Sequence, residues 1–295
     1  MQPSRRFRFT RIRSRQSFAP LLMILTLLTG LPAAADFERL TATLDTSTGS
    51  YEGQNLNGSP HGEGRMEWSD GRVFEGEFFD GQVDGEGELT WPDGMRYRGP
   101  VVTGRIEGEA RVEFPDGSRY RGPLVNGVPE GVGTYRWPDK ARYTGEFVAG
   151  ERHGWGEMKE ADGTRYVGGF AHGERQGQGT LIAADGALYR GDFQAGEFHG
   201  YGVRVSPKGR ELSLEHWQNG ELVDREPIQR SADCNLAHGE RSWMVRGTAC
   251  QGGQAEGVGN AVSTDGTLFI PEGRFERGRL VAGRAISLGQ PEDAR

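Results

Sequence analysis

A tyrosine or phenylalanine recurs every 23 residues, from Tyr51 through Phe74, Tyr97, Tyr120, Tyr143 and Tyr166 to Tyr189, without one slip. Nothing else constrains the fold as much, because a fixed period of this kind marks one supersecondary unit stacked on copies of itself. Glycines keep the same phase. Gly53, Gly76, Gly99, Gly122, Gly145, Gly168 and Gly191 follow each ring by two residues. Further series run from Gly58 to Gly196 and from Gly62 to Gly200. A last series runs from Gly64 to Gly202, with Ala110 its one exception.

Each unit carries a hairpin signal. Trp91-Pro92-Asp93-Gly94 and Phe114-Pro115-Asp116-Gly117 place Asp-Gly between strand-like runs, as do Asp70-Gly71, Asp162-Gly163 and Asp185-Gly186. Alternation along a strand then sets the loop length. Gly85, Gly87, Leu89 and Trp91 share one face of a first strand, and Tyr97, Gly99 and Val101 share one face of the second. The two sets meet on the same side only if the loop has an odd number of residues. A three-residue Pro-Asp-Gly loop, a type I turn followed by a left-handed glycine, is therefore predicted. The same register sets Glu88 opposite Arg98, Glu113 opposite Arg119 and Arg65 opposite Glu75 on the other face. Such cross-strand pairs contribute about 0.2–1 kcal/mol each. The expected fold class is all-β: an elongated single-layer antiparallel sheet of successive β-hairpins, with one face of rings and glycine and one charged face.

Composition agrees with a thin core. The chain has 48 glycines among 295 residues, 35% hydrophobic residues and a mean hydropathy of −0.65. Disorder is the other state such a composition allows, and the unbroken aromatic period argues against it.

Residues 1–35 read as a secretory signal. Arg5, Arg6, Arg8, Arg11, Arg13 and Arg15 precede an apolar run, Ala19 to Leu31. That run is shorter than the ~20 residues a membrane-spanning helix needs. Ala33-Ala34-Ala35 supplies small residues for a cut between Ala35 and Asp36. An uncleaved signal anchor is the alternative. Arg8 stands where a twin-arginine signal wants an apolar residue, so general secretion is favoured and the periplasm is the expected compartment. Removing six arginines from 35 basic residues leaves 29 against 42 acidic ones, a formal charge of −13. That balance speaks against nucleic acid and disfavours anionic lipid.

Four segments follow: the signal at 1–35, a leading segment or edge strand at 36–50, seven repeats at 51–211, and a degenerate repeat-like region at 212–295. In the last, Trp217, Gly220, Gly257, Gly259, Phe269, Gly273 and Phe275 echo the period out of phase. Cys234 and Cys250 are the chain's two cysteines. In an exported protein they are expected to form a disulfide worth about 3 kcal/mol in the chain-entropy model.

No enzyme site is evident. His61, His153 and His199 are echoes of one repeat position, and His172, His216 and His238 lack metal-ligand spacing. The carboxylates single out no acid/base pair, and no glycine run ends in the Lys-Ser/Thr of a phosphate loop. No catalytic, cofactor-binding or metal residue is assigned and no cofactor is expected.

The pattern Tyr143-x-Gly145-x-Phe147-x-x-Gly150-x-x-His153-Gly154-x-Gly156 resembles the MORN repeat, named for membrane occupation and recognition nexus, here in a bacterial exported form. Tyr51 to Gly71 and Tyr189 to Gly209 match comparably. The resemblance implies an elongated sheet of hairpins acting as a scaffold or protein-binding module, with phospholipid binding in some members and separate kinase or methyltransferase domains in others. Asp84, Glu107, Glu130 and Gln176 depart from the usual histidine-type residue, and Lys140 from the turn glycine. A single-layer sheet cannot bury its apolar face against a second layer. The tyrosine column reads first as core, with a ligand platform as the alternative; Trp91, Tyr97, Phe147, Tyr166 and Phe193 are the candidate partner-binding face, with Phe147 and Trp91 expected to be exposed and fold-neutral. A protein partner is expected first, a lipid or envelope glycan second, and a role as accessory to or part of an enzyme third.

Overall fold

In a computed structural model the described residues are 37–207, 211–228, 236, 243–246, 249–251, 253–264 and 266–287. Residues 1–36, and with them the expected cleavage between Ala35 and Asp36, lie outside the described part. So does Cys234; Cys250 lies in the strand Ala249–Gln251, without a described side chain.

The chain forms a long antiparallel sheet of 18 strands, from Gly49–Leu56 to Glu221–Ile228. Successive hairpin strands pair in sequence order, as Arg142–Val148 does with Gly131–Arg136 and Glu151–Lys159, while the two-residue strands Arg105–Ile106 and Val128–Pro129 each pair only with the strand before them. Two kinds of turn alternate. In the first, the Trp91 N–H donates to Met95 O at 2.9 Å and the Gly94 N–H to Trp91 O at 3.0 Å, which closes the expected three-residue loop. Gly94 has φ +92°, and Lys140 holds the equivalent left-handed position at +77°. The second turn has two residues with positive φ, as in Asp80-Gly81 (48° and 82°), the geometry that matches strand twist. Glu88 lies opposite Arg98, Glu113 opposite Arg119 and Arg65 opposite Glu75, the last two pairs in ionic contact at 2.8 and 3.3 Å.

A row of glycines runs across the strands. Gly133 faces Gly145, Gly145 faces Gly156, Gly156 faces Gly168, and so on to Gly191 and Gly202. The tyrosine ring of each repeat lies over this bare backbone. A Cβ built on Gly156 would stand 2.5 Å from the Tyr143 hydroxyl oxygen, and one on Gly133 2.7 Å from that of Tyr120. Rings then wedge edge-on between repeats. Phe147 meets Tyr120 at 5.4 Å and Tyr143 at 5.2 Å, and Phe170 meets Tyr143 at 5.1 Å and Tyr166 at 5.2 Å.

Both ends of the described chain fold onto the sheet. Residues 37–48 lie on the aromatic face, where Phe37 meets Phe114 and Tyr120 edge-on at 5.2 and 5.7 Å. The Leu44 N–H donates to Gly104 O at 2.8 Å, and Trp68 Nε1 donates to Asp45 O at 2.7 Å. Arg39 makes a two-point contact with Asp93 at 2.6 and 3.1 Å. The C-terminal strands, among them Gln254–Ser263 and Leu268–Glu276, form a second sheet. It packs on the opposite face of the last hairpins, where Met244, Val262 and Phe269 join Val203, Leu214 and Ile228 in one buried cluster.

Candidate partner-binding face

Cross-strand partners share a face, so the lining of the aromatic face follows from the register. Phe78 faces Val83, Val101 faces Ile106 and Leu124 faces Pro129. One repeat further on, Phe147 faces Arg152, and then Phe170 faces Arg175. The position before the turn changes at the same place. Trp68, Trp91, Phe114 and Trp137 give way to Glu160 and Ala183.

The five rings of the candidate face are all buried. Trp91 retains 6% exposure, Tyr97 0%, Phe147 1%, Tyr166 2% and Phe193 2%. Tyr97 and Tyr166 are core, as the tyrosine column reads, whereas Phe147 and Trp91 are not the exposed, fold-neutral rings expected. The glycine row lets each ring sink against backbone, and edge-on neighbours close its sides. In the first four repeats residues 37–48 add a roof. The tyrosine hydroxyls are spent inward, Tyr97 donating to Pro100 O at 2.5 Å and Tyr143 to Glu146 O at 2.9 Å. Burial pushes both phenols above their ordinary pKa, so they stay protonated donors.

Cations supply what sequence reading missed. Arg39 stacks over Trp91 at 5.6 Å and Arg72 over Trp68 at 5.2 Å. Arg152 covers Tyr143 and Phe170 at 5.9 and 5.6 Å, and Arg175 covers Tyr166 and Phe193 at 5.7 and 5.5 Å. Arg204 lies over Tyr189 and Trp217, both at 5.9 Å. The signal was available: down one repeat column the residues read Pro60, Val83, Ile106, Pro129, Arg152, Arg175 and Phe198. Arg204 is tied to the fully buried carboxylate of Glu215 at 2.9 Å, which also receives Arg225 Nε at 2.8 Å and Trp217 Nε1 at 3.0 Å. Glu215 faces Gly202 and ends the glycine row.

On the opposite face, the residues that replace the usual histidine have a local job. Asp84, Glu107, Glu130 and Gln176 accept the N–H of Thr103, Asn126, Ala149 and Ala195 at 3.0–3.2 Å. Each acceptor thereby holds the first residue of the next two-residue turn. His172 and Glu151 meet at 3.2 Å, and His153 lies 6.1 Å from His172. The described residues contain no group of three or more His, Cys, Asp or Glu side chains placed to hold a metal ion.

With that geometry in view, comparison with known proteins is direct. The MORN repeat family matches six segments: 51–71, 74–96, 120–142, 143–165, 166–188 and 189–209. This is a MORN-repeat protein. The unit from Tyr97 to Arg119, which carries Ala110 in the glycine row, is unmatched by the family yet folds in phase with the rest. No curated protein matches the chain. Among solved structures, the SAS-4 (dCPAP) TCP domain of Drosophila melanogaster, in complex with a proline-rich motif of Ana2 (dSTIL), is 11% identical. It covers 56% of this chain and 83% of its own at a TM-score of 0.30. The wild-type TCP10 domain of Danio rerio CPAP is 16% identical, with 56% and 84% coverage and a TM-score of 0.25. Likeness at that level supports no statement about what this MORN-repeat protein binds.

Proposed function

We propose that this MORN-repeat protein is an exported, non-catalytic scaffold that binds a protein partner along its aromatic face. The observation that carries the reading is the segment 37–48. It lies on that face with Phe37, Leu40 and Leu44 among the rings, a backbone hydrogen bond to Gly104 and an ion pair to Asp93. Apolar anchors, main-chain hydrogen bonds and one fixed charge are what a groove offers a peptide. Export rests on the basic, apolar and small-residue series of residues 1–35, and the periplasm is the compartment proposed.

A library of random 12-residue peptides displayed on phage and panned on the full chain tests the binding. Enrichment of sequences that compete with one another for the array supports it. Absence of enrichment, or salt-sensitive co-sedimentation with phosphatidylserine vesicles, overturns it in favour of the lipid reading. Intact-mass measurement of the product secreted by a bacterial host adds a check on export, with a chain starting at Asp36 expected and one retaining Met1 refuting it.

A further inference from the structure

A guanidinium stacked on a ring still needs an anion, because cation–π attraction replaces only part of the lost hydration. This fold shows how it meets that need. Arg39 over Trp91 has Asp93 at 2.6 Å, Arg72 over Trp68 has Asp70 at 2.8 Å, and Arg204 over Trp217 has Glu215 at 2.9 Å.

Among the described residues, Arg152 and Arg175 have no such carboxylate in contact. Each gives one terminal N–H to a backbone oxygen, Gly173 O and Gly196 O respectively, both at 2.6 Å. The Nε of each is buried without a hydrogen-bond partner. Arg152 retains 3% exposure, and burial pulls both guanidinium pKa values down. Glu160, the acid nearest in effect, feels both cations but makes no ion pair at contact distance, and burial pushes its own carboxyl up. A largely buried guanidinium with no carboxylate in contact and its Nε unpaired is among the costlier arrangements a fold holds. Two of them, one repeat apart on the same face, mark a place that a ligand completes.

We propose that Arg152 and Arg175 form a carboxylate-recognition site on the aromatic face, taking an extended acidic peptide segment of a protein partner. One repeat is two strands, so the cations stand about 10 Å apart along the array. A peptide extended as polyproline II rises about 3.1 Å per residue with three residues per turn, which sets two carboxylates on one side of it three residues apart. Arg175 is only half-buried, and that gives the anion its way in. The segment 37–48 shows a chain lying on this same face. It reaches Phe114, Tyr120 and the turn glycine Gly127, one repeat short of Arg152.

This inference rests on the partner-binding reading, and the same panning separates the two. Enriched peptides should carry Asp or Glu at positions i and i+3. A selected peptide should lose affinity roughly tenfold or more when Arg152→Gln and Arg175→Gln are combined. It should lose as much when its own acids become amides. Circular dichroism and thermal melting check the fold of the double variant, and Arg175→Gln alone provides a second, half-buried position if the pair fails to fold. Enriched peptides without acidic bias, or binding indifferent to both substitutions, overturn this site while leaving partner binding intact. No enrichment removes both. Phosphatidylserine vesicles that bind the wild type and not the double variant overturn the peptide in favour of a lipid headgroup.

Discussion

The first four repeats and the two that follow share a backbone and differ in what covers their rings. From Tyr51 to Lys140 the face is lined by Val83, Ile106 and Pro129 and rimmed by Trp68, Trp91, Phe114 and Trp137. Residues 37–48 lie on it and spend its apolar surface internally. In the next two repeats the same positions hold Arg152, Arg175, Glu160 and Ala183. The lesson is that one period specifies the sheet, while the columns that vary within the period decide which stretch is core and which is site.

The roof offers the largest test. Phe37 is 3% exposed and sits edge-on to Phe114 and Tyr120. Phe37→Ala should cost about 3 kcal/mol, felt as detachment of residues 37–48. Repeat arrays couple chiefly between neighbours. Amide exchange should therefore accelerate across the first four repeats and change little around Tyr166 and Tyr189. Uniform loss of protection along the array would show that the two regions are one cooperative unit and dissolve the contrast.

The glycine row should instead treat both regions alike. Gly133→Ala and Gly156→Ala each drive a Cβ into a buried ring, at 2.7 Å from Tyr120 and 2.5 Å from Tyr143. Each should lower stability by about 2 kcal/mol, the usual scale of overpacking. Ala110 is the natural control, since there a methyl already occupies the row and Tyr97 stays fully buried. Ala110→Gly should change the melting temperature little. A much smaller penalty at Gly156 than at Gly133 would mean that the unroofed rings have room to lift.

The sheet was legible in the sequence because its causes are local. Asp-Gly at fixed offsets and alternation along each strand led to the three-residue loop and to the Glu88–Arg98, Glu113–Arg119 and Arg65–Glu75 pairings, all of which the structure has. The tyrosine column reads as core, and Tyr97 and Tyr166 are; burial of Trp91, Phe147 and Phe193 was not legible, because it depends on rings of one repeat wedging into the next and on residues 37–48 travelling across four hairpins. The job of Asp84, Glu107 and Glu130 was hidden for a similar reason. Each closes a turn about 19 residues away, as in Asp84 to Thr103, a relation that a residue-by-residue comparison with a repeat pattern reads as a departure. Arg152 and Arg175 were visible in the 23-residue column, but their lack of a carboxylate is a three-dimensional fact.

The smallest expected effect is on pH, and it has opposite signs in the two regions. The Arg39 guanidinium holds the Asp93 carboxyl below the ordinary aspartate value. A carboxylate depressed in the fold stabilises it above its unfolded pKa of about 4, and that contribution fades as pH falls through the folded value. The pair is solvent-exposed, so Asp93→Asn should cost at most about 1 kcal/mol at pH 7, visible as faster exchange under the roof. Glu160 runs the other way. Burial raises its carboxyl above the ordinary value, against the pull of Arg152 and Arg175. Its contribution is present below the unfolded pKa and is lost as pH rises through the raised one. Glu160→Gln should therefore strengthen protection around Tyr143 and Tyr166 at pH 7, leave it unchanged near pH 4, and leave the first four repeats unaltered at both. A loss of protection at pH 7 would mean that Glu160 already serves as the carboxylate of Arg152 and Arg175, and the second region would then be as self-sufficient as the first.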